Sequence, residues 1–211
     1  MLLPLIAYSL IWKPSMGDSV KQSLRFELHF DDEDVLYTAD LTSKVETVRS
    51  DGTYVLRTDS ANAKMVVASK EIAEEPSKAI RETYDAQGRR VSIDDFGDTY
   101  SNMMGTITEF YPPDAPVEFG VSWTHQITAD PLTSRSLTFM DYKLVGEEAG
   151  NLRVDFKYKQ VVMEGDPVTA SGKFLLDRTS FALVGYEGTA ENVREGDDFA
   201  PGRIVVILKP R

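Results

Sequence analysis

The sequence predicts an all-β protein made of two tandem antiparallel units, with curved sheets in the manner of a sandwich or half-barrel and little helix. Three observations carry this expectation: period-two alternation of apolar and polar residues, glycine-containing turn pairs between the alternating runs, and a similar order of features in the two halves. In "SVKQSLRFELHF", Leu24, Phe26, Leu28 and Phe30 share one face while Arg25, Glu27 and His29 share the other. "NLRVDFKYKQVV" does the same, with Leu152, Val154, Phe156 and Tyr158 against Arg153, Asp155, Lys157 and Lys159. Such runs are strands with one buried and one solvated face, as in antiparallel sheets. "DGTYVLRT" predicts a short alternating strand, and the continuous apolar run in "GRIVVILK" predicts a strand paired centrally or covered on both faces.

Asp51-Gly52, Gln87-Gly88, Gly150-Asn151 and Gly165-Asp166 divide the apolar runs. Glycine there supplies the positive φ of tight strand connections. The best helical segment, "ASKEIAEEPSKAIRE", carries Pro76 at its centre, which removes a backbone donor and clashes with the preceding turn. The expectation is at most a broken helix or a turn-rich crossover.

The halves correspond at three places. "MGDSV" at 16–20 matches "FGVSW" at 119–123; "KVETVRSDGTYVLR" matches "KLVGEEAGNLRVDF"; and "YDAQGRRV" matches "LDRTSFAL". The offsets at Gly17/Gly120, Gly52/Gly150 and Asp85/Asp177 are 103, 98 and 92, a drift that loop deletions would produce. The expected organisation is residues 1–9 as a signal-peptide remnant, 10–110 as the first unit, 111–116 as a proline-rich linker, and 117–211 as the second unit.

Composition narrows function by exclusion. With 42% hydrophobic and 27% charged residues among 211, a packed core is expected. A net charge of -11 and a pI near 4.7 exclude a phosphate-backbone partner, which requires clustered Lys and Arg, and disfavour an anionic membrane surface. The absence of cysteine removes disulfides, thiolate metal sites and cysteine nucleophiles. The apolar start "MLLPLIAYSLIW" is too short for a transmembrane helix of ~20 residues. Ala7 and Ser9 give it a small-x-small cleavage pattern, and export to the periplasm, outer envelope or exterior is expected. Its missing basic n-region leaves a first-strand reading, and a cytoplasmic location, open.

Chemistry-bearing residues are sparse. No cofactor is expected. Asp94, Asp95 and Asp98, with Asn102 nearby, are the best candidates for Ca²⁺, although the alternating EF-hand pattern is absent. The acidic runs at Asp31–Asp34 and in "REGDDF" read as solvated loops. Ser122 and His125 form a hydrolase pair on paper, yet Thr124 stands where a nucleophile elbow needs its second glycine. Alternation would also place the two on opposite strand faces. Tyr100, Phe110, Tyr111, Phe119 and Trp123 gather around the boundary between the units as candidate ligand-binding aromatics, with core packing as the simpler role.

Pro116, Val117, Gly120, Ser122 and Trp123, followed by Gly150, Gly172 and Asp177, resemble the pattern of a group of bacterial secreted or lipoprotein-type β-domains. The resemblance covers about half of the chain and implies an envelope or extracellular β-protein without implying catalytic residues. The function expected is a non-catalytic binding or structural module for an apolar small molecule or an envelope protein. A hydrolase using acidic residues or Ser122 and His125, and a Ca²⁺-stabilised surface domain, are the alternatives.

Overall fold

Alternation becomes strand throughout the computed structural model, which describes residues 6–29, 34–72, 79–94, 107–128, 136–161, 166–193 and 202–211. In chain order the strands are β1 (Ser19–His29), β2 (Asp34–Val48), β3 (Tyr54–Val67), β4 (Lys70–Ile72), β5 (Ile80–Tyr84) and β6 (Arg90–Asp94). The second half supplies β7 (Ser122–Ile127), β8 (Thr138–Glu148), β9 (Asn151–Gln160), β10 (Val168–Asp177), β11 (Leu183–Val193) and β12 (Gly202–Pro210). Every pairing is antiparallel, and the order across the sheet is β6-β5-β3-β2-β1-β12-β11-β10-β9-β8-β7, with β4 beside β3. The two runs of strands meet where β1 pairs with β12, so both belong to one open sheet. The apolar run "GRIVVILK" lies at its centre, between β1 and β11.

Turn chemistry sets the connections. Ala149 and Gly150, at φ 50 and 82, close β8 onto β9 in a two-residue loop. Ala68 and Ser69 also adopt positive φ, at 46 and 67, and fold β4 back onto β3. The first part of "ASKEIAEEPSKAIRE" is therefore a turn and a strand, its end is β5, and Pro76 lies outside the described residues. Asp85 and Asp177 each cap a turn through Oδ1, accepting from the Gln87 and Arg89 amides in one case and the Thr179 and Ser180 amides in the other. The entries to β1 and β7 are also alike: the Gly17 amide donates to the Val45 carbonyl at 2.9 Å, and the Gly120 amide to that of Leu144 at 2.6 Å.

The core lies on one face of the second half. Neighbouring strands contribute Leu144, Val154, Phe174, Tyr186 and Leu208 in one transverse row. The next row runs Tyr142, Phe156, Gly172, Gly188, Val206, Phe26. Two adjacent glycines in the second row make room for the first. A Cβ on Gly172 would stand 2.0 Å from the Glu187 carbonyl oxygen, and one on Gly188 would stand 2.2 Å from the Tyr186 hydroxyl. With no side chains there, the strands approach closely.

Two irregular segments lie across this inner face. Residues 6–12 and 107–117 join through Tyr8 and Val117, which exchange backbone hydrogen bonds at 2.8 and 3.0 Å. Together they form a ridge. Tyr8, Leu10, Ile107, Tyr111 and Val117 belong to the same buried cluster as the second-half strands. Tyr8, within the segment expected to be a signal remnant, is thus packed into the core. Pro112 and Pro113 are buried as well, so the expected linker at 111–116 is in good part interior.

Gly172→Ala is expected to cost about 1–3 kcal/mol, as overpacking against backbone does. Ser171→Ala, at the exposed neighbouring position, is expected to stay within about 0.5 kcal/mol. Urea denaturation of the two variants beside the native chain checks this.

Candidate functional site

The ridge divides the inner face into a filled part and an open part. Over β8 to β11 the space is packed with aromatic and aliphatic side chains. Over β1, β2, β3, β5 and β6 it is a cavity of about 370 Å³, within the range of small-molecule sites. Its wall reaches from Ile93 on β6 to Val206 on β12. Five strand spacings separate these strands, about 24 Å if the sheet were flat. A single cavity touching both requires the sheet to curl, with the ridge closing the open side.

The lining is apolar over most of its extent. Leu24 and Phe26 come from β1, Leu41 from β2, Leu56 from β3 and Ile80 from β5, all at inward positions of the alternation. The ridge adds Leu10, Trp12, Phe110 and Pro112. Three polar residues in the lining are turned toward other partners. Gln22 donates its amide to the Leu183 carbonyl at 3.3 Å, and Ser43 and Thr58 share a hydroxyl-hydroxyl bond of 2.8 Å. Aromatic rings stiffen the wall: Tyr54 stacks on Tyr84 at 5.1 Å, and Trp12 meets Tyr54 edge-on at 5.6 Å.

One charged cluster interrupts this lining. Arg90 reaches Glu82 through Nη1 and Glu109 through Nη2, each at 2.9 Å. The Arg90 amide also donates to Glu109 Oε1 at 3.2 Å, and the Tyr84 hydroxyl to Glu82 Oε2 at 3.2 Å. The Glu109 side chain is 5% exposed, against 15% for Arg90 and 17% for Glu82. Burial pushes the Glu109 carboxyl above its ordinary value, and the Arg90 guanidinium offsets this only in part. Burial first, and then the charges of Glu82 and Glu109, raise the Tyr84 hydroxyl well above its usual range.

Glu109 also fixes the ridge. Its carbonyl oxygen accepts from the buried Tyr142 hydroxyl of β8 at 3.3 Å, and the Tyr111 carbonyl accepts from Trp123 Nε1 of β7 at 3.0 Å. The His125 ring of β7 stacks on Tyr111 at 4.0 Å, and burial lowers its pKa below the ordinary value. On the opposite margin, Arg89 pairs with Asp114. The ridge is thereby tied to β6 at one edge of the sheet and to β7 at the other.

Against this geometry the sequence candidates separate. Trp123 and His125 face the core, while Ser122 and Thr124 lie on the other face, where Thr124 donates to Asp141 at 2.9 Å. Ser122 and His125 therefore do not form a nucleophile-base pair. Phe110 lines the cavity, whereas Tyr111 and Trp123 serve as anchors of the ridge. Phe119 is 45% exposed and packs on Tyr8 at 5.1 Å, and Tyr100 lies outside the described residues. Asp94 ends β6, and its expected Ca²⁺ companions Asp95 and Asp98 also lie outside them. No group of three His, Cys, Asp or Glu suited to a metal ion occurs among the described residues.

Sequence reasoning passed over Trp12, Tyr54, Glu82, Tyr84, Arg90 and Glu109. The signal for one of them was present: in "IRETY", Glu82 sits between Ile80 and Tyr84 in the inward register, where alternation calls for an apolar residue. Comparison of the sequence with profiles of known protein families and with curated proteins gave no match.

Because its pKa is raised in the folded state, Glu109 makes the native chain lose stability as pH rises from 4.5 toward the raised value. Glu109→Gln has no such proton to lose. Its stability relative to the native chain is expected to improve between acidic and neutral buffer, and urea midpoints in the two buffers measure the change. A difference that does not vary with pH contradicts the assignment. Tyr142→Phe is expected to cost about 0.5–1.5 kcal/mol in the same assay through loss of its bond to the ridge.

Proposed function

We propose that this protein is a non-catalytic carrier or receptor for an apolar small molecule, held in the cavity between the ridge and the first-half strands. The observation that carries this reading is the contrast within one sheet face. The same inner face is packed with buried side chains over β8 to β11 and left open over β1, β2, β3, β5 and β6, although both parts are lined by large apolar side chains. Leaving apolar surface unfilled forfeits stabilisation of about 25 cal/mol per Å². An open apolar cavity of this size is thus a cost to the fold unless something occupies it. The ridge supports the reading too, since hydrogen bonds and an ion pair hold it in place beside the cavity.

The separation of Ser122 from His125 argues against the Ser122/His125 form of the hydrolase alternative. Location outside the cytoplasm belongs to the same proposal and rests on the resemblance of the Gly120-Ser122-Trp123 region, because cleavage at the Ala7/Ser9 pattern would cut through the segment that pairs Tyr8 with Val117.

N-phenyl-1-naphthylamine, a neutral probe that fluoresces in apolar surroundings, is expected to bind saturably with one site per chain. Leu56→Trp places a large ring in the cavity and is expected to weaken binding at least tenfold, while Val145→Trp, at an exposed position on β8, leaves it unchanged. Circular dichroism and thermal melts establish that both variants fold. Absence of saturable binding, or equal binding by the two folded variants, overturns the proposal.

A further inference from the structure

The charge cluster in the cavity wall specifies more than an apolar occupant. Arg90 is the one cation among the described lining residues, and it stands between two carboxylates. With Glu82 and Glu109 both ionised, the cluster carries one net negative charge. Protonation of Glu109 brings it only to neutral. In neither state does the cavity offer net positive charge to an anion, and an uncompensated anion at such a site would bear its full desolvation cost. A hydrogen-bond donor meets the opposite situation. Each carboxylate oxygen has two lone pairs, and Glu82 receives Arg90 on Oε1 and Tyr84 on Oε2. Each oxygen keeps one lone pair beyond these bonds, and Glu82 is part of the cavity lining with its side chain 17% exposed.

Resting on the carrier reading above, we infer that the occupant is a single-chain amphiphile whose polar end is an amine or a hydroxyl, seated against Glu82, with its hydrocarbon part along Leu24, Phe26, Leu41, Leu56 and Ile80. A carboxylate-headed chain is selected against. The net charge of -11 acts in the same direction at longer range, drawing cations toward the protein and repelling anions.

Three chains of equal length separate the head group from the tail: decylamine, decanol and decanoate, each competing with N-phenyl-1-naphthylamine at neutral pH and below its micelle concentration. The amine and the alcohol are expected to displace the probe at least tenfold more tightly than the carboxylate. Glu82→Gln removes one carboxylate without touching the ridge and is expected to narrow that gap to less than threefold. Retained affinity for the probe shows that the variant keeps its cavity. Decanoate binding as tightly as decylamine, or a gap unchanged in Glu82→Gln, overturns this inference and leaves the carrier reading standing. Failure of the probe and all three chains to bind the native protein removes the carrier reading, and this inference with it.

Discussion

The arrangement depends on how the ridge is held. An open sheet of this breadth has two free edges and no covalent reason to keep a fixed curl. Here a single stretch of chain, Glu109 to Asp114, is bonded to both margins: through its carboxylates to Arg89 and Arg90 beside and at the start of β6, and through its carbonyl groups to Trp123 and Tyr142 on β7 and β8. The sheet is therefore spanned by its own chain, as a bow is by its string. The curl, the filled half and the open half all follow from where that string lies. It crosses closer to the second half, where Phe110 reaches Tyr142 at 5.7 Å and Phe174 at 5.5 Å.

Much of the sheet was legible in the sequence because an antiparallel strand writes its burial directly into alternate residues. β9 shows this well: Leu152, Val154, Phe156 and Tyr158 were assigned to one face, and each is buried. The hairpin glycines at 52 and 150 and the turn glycine at 88 were equally clear, since positive φ leaves few other choices. The unbroken apolar run of β12 left central pairing and burial on both faces as alternatives, and the structure pairs it centrally. What could not be read was which strands meet across the chain's two halves. β1 and β12 are paired by register at nearly opposite ends of the sequence, and nothing local in either one specifies the other.

The candidate site was less legible, for a physical reason. Irregular segments have no period. The role of "ITEFYPP" depends on carbonyl groups accepting from Tyr142 and Trp123 and on one buried carboxyl, none of which has a spacing rule. Its prolines look like a linker by composition, yet a segment with few amide donors to satisfy is also well suited to lie over an apolar core. Of the aromatic cluster singled out in the sequence, only Phe110 lines the cavity among the described residues. The cluster's members divided between anchoring, core and cavity according to geometry that only the folded chain supplies.

The uneven filling of the inner face makes this molecule a domain with an incomplete interior. Its second half carries a continuous buried core, while β1, β2, β3, β5 and β6 border a largely apolar cavity. On the carrier reading proposed above, an occupant would be more than cargo: it would supply a packing layer over the first-half strands, and its binding free energy would add to the free energy of folding. Loading and release would then be coupled to the stability of those strands.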